Sequence, residues 1–443
     1  MRTKRAEQRL AGVPFPAKQA REARWWWVEP SVWNERMLTA LEKGVKGGKW
    51  FSLIDKVSSE KALRAGFEKV KRNRGAAGVD HVTVEMFAAH LADNISKLSQ
   101  ELMGGIYRPQ AIRRQWIPKG NGKEKRPLGI PTVRDRVVQT ALRNVMEPIF
   151  ERDFAATSYG FRPGRGCHDA LRAVEETLNA GQTWVVDADL QKFFDTLSHT
   201  VLMNEVRRKI ADGRVLGLVE AFLGQQVMEG MENWVPEQGT PQGAVISPLL
   251  SNIYLDPLDQ VMARDGVRMI RYADDFVILC ESEQAAREAL ARVKEWAEQT
   301  GLRLHPKKTR IVDATQAGGF DFLGYHFERG YKWPRKRSIH NLKQAVRERS
   351  KRTNGKSLEV IISELNEVLV GWFGYFGYSH PTTFPRLDKW VRMRLRSILR
   401  KRDRRKGVGR GWDHQRWPNQ YFVANGLFSL VTAHKAIRQS SLR

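Results

Sequence analysis

Only two cysteines, Cys167 and Cys280, stand in the 443 residues. They cannot make a disulfide framework or a cysteine-rich zinc site, and so few of them fits a reducing cytoplasm. No apolar run approaches the ~20 residues that cross a bilayer. Met1-Arg2-Thr3-Lys4-Arg5 leads into no apolar segment of the signal-peptide kind. A cytoplasmic protein with no membrane partner is therefore expected. Acidic residues are short as well, 49 Asp and Glu against 75 Lys and Arg, a formal net charge of +26. That surplus implies a polyanionic partner, with nucleic acid first. The composition, 41% hydrophobic and 9% aromatic, is nevertheless that of a globular protein. No internal repeat appears.

Residues 1–30 are basic and rich in Ala and Pro, and read as an arm reaching Trp25-Trp26-Trp27. Helical spacing follows from Val32 to Leu41, ended by Gly47-Gly48, and again over residues 60–72. The glycine loop from Arg72 to Asp80 is of a kind that touches phosphates through backbone N–H groups. Trp116 to Pro131 reads as a strand, a basic Gly-Asn-Gly tip and a returning strand, with Lys119 and Arg126 on adjacent strands. A helix from Asp135 to Phe150 comes next. Tyr159-Gly160-Phe161-Arg162-Pro163-Gly164 makes a polar turn before an amphipathic helix carrying Ala170, Leu171, Val174 and Leu178.

Thr183 to Leu190 is a β-branched strand ending in acids, with Asp187 and Asp189 on one face. Helical spacing returns from His199 to Leu223. A Gly/Pro loop, Gln238 to Pro248, ends on Ser247-Pro248, read as a helix N-cap followed by proline at the first helical position. Val267–Tyr272 and Phe276–Cys280 then form a hairpin around Ala273-Asp274. Adjacent Asp274 and Asp275 at its tip are either a polar turn or a pair of carboxylates that need a cation to offset their repulsion. A helix spans Ser282 to Gln299. Gly301–Ile311 is an alternating strand entering a basic turn, and Phe320–Phe327 is a further strand. From about residue 340 the chain reads as helical, with a basic helix over 386–406. The pattern is α+β with a mainly antiparallel sheet, followed by an all-helical region.

Five motifs run in a telling order: Asp189-x-x-x-x-Phe194, Gly239-x-Pro241-Gln242-Gly243, Tyr272-Ala273-Asp274-Asp275, Gly301-x-x-Leu304-x-x-x-Lys308-Thr309 and Phe322-Leu323-Gly324-Tyr325. The set resembles a reverse transcriptase. Gly75-Ala76-Ala77-Gly78-Val79-Asp80, Pro127-Leu128-Gly129-Ile130-Pro131, Tyr159 to Gly164 and Gly371-Trp372-Phe373-Gly374-Tyr375-Phe376 narrow it. With them the chain resembles a bacterial group II intron-encoded reverse transcriptase and maturase from about residue 33 onward.

That resemblance implies a right-hand polymerase. Residues 1–30 would be a basic arm, 31–97 an N-terminal extension of the fingers, 98–335 fingers and palm, and 336–443 a helical thumb/maturase region with a nucleic-acid-binding end. Asp189, Asp274 and Asp275 would ligate two Mg²⁺ ions, for which Mn²⁺ can substitute. Lys119 and Arg126 would neutralise the incoming triphosphate. Phe194 would exclude the 2′-OH, leaving Phe193 to the core, and Gln242 would position nucleotide or template. Lys308 would protonate pyrophosphate or contact a phosphate or the backbone.

Asp187 is expected to stand outside the ligand set, and Asp195 to serve a salt bridge or a cap. The Trp372–Tyr378 aromatics are read as helix-packing core, with base stacking as the other reading. Arg392, Arg396, Arg400, Lys401 and Arg404 on the basic helix would meet nucleic acid. The implied partners are group II intron RNA, an RNA template with a DNA primer, target DNA and dNTPs. The implied activities are cDNA synthesis during retrohoming and splicing assistance, carried out in the bacterial cytoplasm at the nucleoid. Many relatives carry an HNH-type endonuclease with paired Cys and His. This sequence holds no such cluster, so second-strand cleavage is not expected of it and the primer would come from elsewhere, such as a nascent strand at a replication fork. The other readings are a splicing factor with incidental polymerase activity and a related polymerase turned to host defence.

Overall fold

The computed structural model describes residues 24–119, 124–407 and 411–441. Most of the basic arm and the tip of the first hairpin lie outside the described residues.

Among the described residues, three small sheets sit in a helical frame. In the first, β1 (Ile112–Lys119) pairs antiparallel with β2 (Glu124–Ile130). Its other edge carries β4 (Val227–Glu229), parallel to β1, and then β5 (Glu232–Trp234). The central sheet has the order β6 (Arg268–Tyr272), β7 (Asp275–Cys280), β3 (Trp184–Asp189), β8 (Arg310–Asp313), antiparallel throughout. A third sheet joins β9 (Phe320–Phe322), β10 (Tyr325–Glu328) and β11 (Tyr331–Pro334).

The central strands are apolar on both faces because both faces are covered. Val186, Phe276 and Ile278 pack into the larger core with Leu250, Ala289 and Val293 of the helices Ser247–Arg264 and Glu283–Thr300. Val185, Val277 and Leu279 pack the other way, on the helix Cys167–Asn179 and on Phe320 and Tyr325. The helix Val133–Glu151 runs through the interior and is buried almost all round, including the polar Asp135 and Gln139.

The C-terminal helices Lys336–Arg349, Leu358–Phe376, Thr383–Arg402 and Leu430–Ser441 hold a separate core around Leu365, Phe384, Leu395 and Phe422. They meet the sheets through aromatics. Tyr375 donates its hydroxyl to the Leu323 carbonyl at 2.7 Å and Tyr325 donates to the Tyr375 carbonyl at 2.6 Å, with Phe376 buried beside them. Tyr375 and Phe376 of this aromatic run therefore pack against the sheet, while Tyr378 is exposed.

Four expectations change. The His199–Leu223 stretch is two helices, His199–Lys209 and Gly213–Leu223, because Asp212 caps the second through Arg214 N and Val215 N. Ser247 is the first helical residue and not the cap; its hydroxyl donates back to the Pro241 carbonyl at 3.0 Å and meets the Thr240 hydroxyl at 2.7 Å. Between Gly301 and Thr309 only Leu304 bridges a neighbour, Leu190, and the strand begins at Arg310. Phe320–Phe327 is a hairpin turned at Leu323-Gly324, both at positive φ, and β11 extends it.

Candidate active site

The two acidic segments converge through pairing. Asp189, the last residue of β3, stands opposite Asp275, the first of β7, in the antiparallel register. Facing residues in such a ladder hold their Cβ atoms roughly 5 Å apart on one side of the sheet. Asp274 precedes Asp275 in the turn, where Ala273 sits at φ 59.

Charge crowding marks the spot. Burial, followed by the carboxylates of Asp274, Asp187 and Asp189, pushes Asp275 up to about 7. Asp275 is nonetheless exposed to solvent, so water screens part of that push. Burial, with Asp189 adding to it, also holds Asp274 above the ordinary carboxylate range. Lys308 donates to Asp189 Oδ2. The Lys308 ammonium thus meets one of the three expected ligand carboxylates.

The donor set suits a hard divalent cation: oxygen ligands only, on carboxylates that burial and one another's charge disfavour. As the side chains stand, no three His, Cys, Asp or Glu groups among the described residues converge as a ready ligand cage.

Asp187 faces Arg310 across β3 and β8 and is paired with it at 3.1 Å. It also adds to the charge that raises Asp275. Asp195 is exposed, and among the described residues its side chain has neither the salt bridge nor the cap expected of it.

The loop Gly239–Gly243 joins the central sheet region to β2. Thr240 N donates to the Phe194 carbonyl at 2.7 Å, and Gly129 N donates to the Gln242 carbonyl at 2.6 Å. Gly239, at φ +87, admits no side chain, since a Cβ would lie 2.7 Å from the Phe194 carbonyl oxygen. Phe194 is half-buried while Phe193 is 2% exposed, which assigns Phe193 to the core. Arg126 is exposed on β2, opposite Ile117. Lys119 closes β1; its side chain lies outside the described residues.

The glycine loop before Asp80 is a packing device. A Cβ on Gly78 would lie 2.7 Å from Thr132 Cα, and Arg136 and Arg113 donate to the Ala76 and Ala77 carbonyls. The Tyr159–Gly164 turn is likewise pinned by Arg162, which pairs with Glu151 and donates to the Ser158 carbonyl at 2.8 Å.

On the basic helix the five expected cations part company. Arg396 is 2% exposed and donates to the Trp417 carbonyl and to Asn419, both at 2.9 Å; it is a packing residue and is withdrawn from the nucleic-acid surface. Arg400 is tied to buried Asp413 at 2.6 Å, and half-buried Arg392 lies 3.8 Å from Asp388. Lys401 and Arg404 are exposed, and line a cavity of about 330 Å³ with Arg352, Arg405 and Lys406.

Two family models match the chain: Reverse transcriptase (RNA-dependent DNA polymerase) over residues 117–327 and Group II intron, maturase-specific domain over residues 339–419. Protein YkfC of Escherichia coli is 39% identical over 292 residues, 57% of this chain and 76% of that protein. The chain belongs to the group II intron reverse transcriptase and maturase family. The Group II intron-encoded protein LtrA of Lactococcus lactis is 38% identical over 196 residues, 44% of this chain and 32% of LtrA. An uncharacterised 91 kDa protein in a cob intron of Schizosaccharomyces pombe is 30% identical over 281 residues, 50% of this chain and 35% of its own. This reverse transcriptase therefore carries the polymerase region and the maturase region in family order, the first on the sheets and the second on the C-terminal helices. No helix among its described residues is long and apolar enough to cross a membrane.

Sequence reasoning missed Arg271, Asp259 and Asn252. Their signal was present: an arginine inside the strand Val267–Tyr272, which its apolar neighbours assign to the core, needs a buried acid.

Proposed function

We propose that this protein copies intron RNA into DNA by extending a DNA primer with dNTPs at its acidic turn, and that the C-terminal helices bind the same RNA to assist its splicing. The observation that carries the polymerase half is the pairing of Asp189 with Asp275 beside Asp274. Asp189, Asp274 and Asp275 would hold Mg²⁺, or Mn²⁺ in its place. When bound, the two ions supply Lewis acidity to the primer 3′-OH and neutralise charge on the triphosphate.

The chain's own groups do the positioning. Arg126, with Lys119, meets the triphosphate charge on the neighbouring strands. Phe194 excludes the 2′-OH of an rNTP, and Gln242, carried on the loop that touches both Phe194 and Gly129, orients the nucleotide or template. Lys308 has one carboxylate partner in Asp189 and leaves it to protonate or pair with the departing pyrophosphate. Exposed Lys401 and Arg404, with Arg352, Arg405 and Lys406, offer phosphates of intron RNA or target DNA a basic cavity. The residue groups 31–97, 98–335 and 336–443 serve as fingers extension, fingers and palm, and thumb/maturase.

Primer extension on an RNA template tests this reading. Extension that needs Mg²⁺ and stops with EDTA is expected; metal-independent extension, or none at all from folded protein, overturns it.

A further inference from the structure

Behind the acidic turn lies a buried ionic network that no part of the reading above uses. Arg271 is 0% exposed and Asp259, on the helix Ser247–Arg264, is 1% exposed. Arg271 Nε donates to both Asp259 carboxylate oxygens, at 2.8 and 3.0 Å, and Nη2 donates to Oδ2. The remaining arm, Nη1, reaches Asn252 Oδ1 at 2.9 Å and the Ala273 carbonyl at 2.8 Å. Asn252 Nδ2 passes the chain of bonds on to the Gly160 carbonyl at 2.9 Å. Gly160 is pressed on the turn from the other side: a Cβ there would lie 2.1 Å from Ala273 N. The backbone of Arg271 is fixed too, its N–H on the Thr157 carbonyl and its carbonyl on Tyr159 N.

Stability alone does not account for such a pair. Replacing a buried ion pair by apolar side chains of similar size is often neutral or stabilising. What an apolar pair cannot do is donate to the Ala273 carbonyl. Ala273 holds φ 59, a left-handed conformation that residues with a Cβ rarely adopt, and it persists where surroundings over-determine it. Arg271 and Gly160 supply that determination from opposite sides.

We propose that Arg271, held by Asp259 and Asn252, is a positioning residue that fixes the Ala273–Asp274 peptide and so sets the direction of the Asp274 and Asp275 carboxylates. This rests on the polymerase reading and adds to it a clamp outside the reacting groups. The rigid fork of arginine is needed, since it must serve Asp259, Asn252 and the Ala273 carbonyl together; lysine offers a single point charge.

The experiment compares the full-length parent with an Arg271→Met/Asp259→Leu double variant, with Arg271→Lys, and with Asn252→Ala. The double variant removes both charges and keeps the volume. Its Tm is expected to stay near the parent's. Its kcat for RNA-templated extension is expected to fall ~10–100-fold, as for a misplacement of about 1 Å, with a higher Mg²⁺ concentration for half-maximal rate and little change in KM for dNTP. In metal-free protein, amide exchange over residues 272–276 is expected to speed up. Asn252→Ala leaves the ion pair in place and decides the matter where the double variant fails to fold: it should show the same exchange and Mg²⁺ shifts in smaller degree. Arg271→Lys is expected to resemble the double variant. Parent values of kcat, Mg²⁺ requirement and amide exchange in a folded variant overturn the clamp. A parent that shows no Mg²⁺-dependent extension overturns the polymerase reading instead, while the metal-free exchange result still reports on the clamp.

Discussion

Asp189 and Asp275 face each other across the β3–β7 ladder, and Lys308 reaches Asp189 from the segment before β8. The lysine is 59% exposed, and ion pairs that open to water contribute only ~0–1 kcal/mol. Lys308→Ala should therefore leave Tm within a degree or two of the parent. Nucleotide incorporation should drop ~100-fold, within the range for a lost proton donor. Stopped-flow incorporation beside a thermal melt checks both halves; an unchanged rate removes Lys308 from the chemistry.

Neighbouring phenylalanines separate selectivity from stability. Phe194 is half-buried against the core and Phe193 is 2% exposed within it. Phe194→Val should lower the preference for dNTP over rNTP at least ~10-fold, measured as the ratio of kcat/KM values. Phe193→Val should keep that preference and lose ~1–3 kcal/mol of stability through the cavity it leaves. The reverse pattern would exchange the two roles.

Asp212 links the N-terminal helices to the rest. Its carboxylate accepts from Leu53 N at 2.6 Å and Ile54 N at 2.9 Å while capping the helix Gly213–Leu223. Burial alone would raise its pKa, but these backbone donors outweigh burial and hold it below the usual carboxylate range. The sign follows from linkage: a depressed carboxyl contributes stability above its unfolded pKa of ~3.9, and that stability fades as pH falls through the lower folded value. Asp212→Ala should cost ~2 kcal/mol near pH 7. The gap to the parent should narrow below about pH 4. Denaturant melts across pH measure it, and a gap independent of pH would contradict the ionised cap.

Exposed and buried cations on the helix Thr383–Arg402 should behave differently. Lys401→Gln with Arg404→Gln, the latter just past its end, is expected to weaken RNA binding and reduce the slope of log affinity against log salt by roughly 0.7 to 0.9 per lost phosphate contact. Arg396→Gln should instead destabilise the C-terminal core, through its lost bonds to Trp417 and Asn419, and leave that slope alone. Binding titrations at several salt concentrations decide it.

Much of this was legible in the chain. The hairpin at Ala273-Asp274 shows as two apolar runs around paired acids, and Asp187 and Asp189 as acids ending a β-branched strand. Local pattern carried those, while the choice of Asp189 came from the resemblance. Where the reading failed, a distant partner decided. His199–Leu223 has continuous helical spacing, yet Asp212 breaks it because its carboxylate also serves Leu53 and Ile54 far upstream. Arg396 lies in a basic run that looks solvent-facing, but Trp417 and Asn419 close over it. The glycines at 75 and 78 read as a phosphate loop, and only the approach of Thr132 and Arg136 shows why a side chain has no room there. Arg271 was visible as a charge in an apolar strand; its acceptor set, drawn from a helix, a strand turn and a side-chain amide, was not.

The central claim is that RNA-templated DNA synthesis occurs at the Asp189, Asp274 and Asp275 carboxylates, on a protein whose RNA-binding surface stands apart from them. The most direct measurement is primer extension by Asp274→Ala on an RNA template with Mg²⁺, run beside intron RNA binding by the same preparation. The account predicts extension reduced at least ~1,000-fold, the scale of a lost transition-state charge stabiliser, with RNA affinity equal to the parent's. Extension at the parent rate would contradict it.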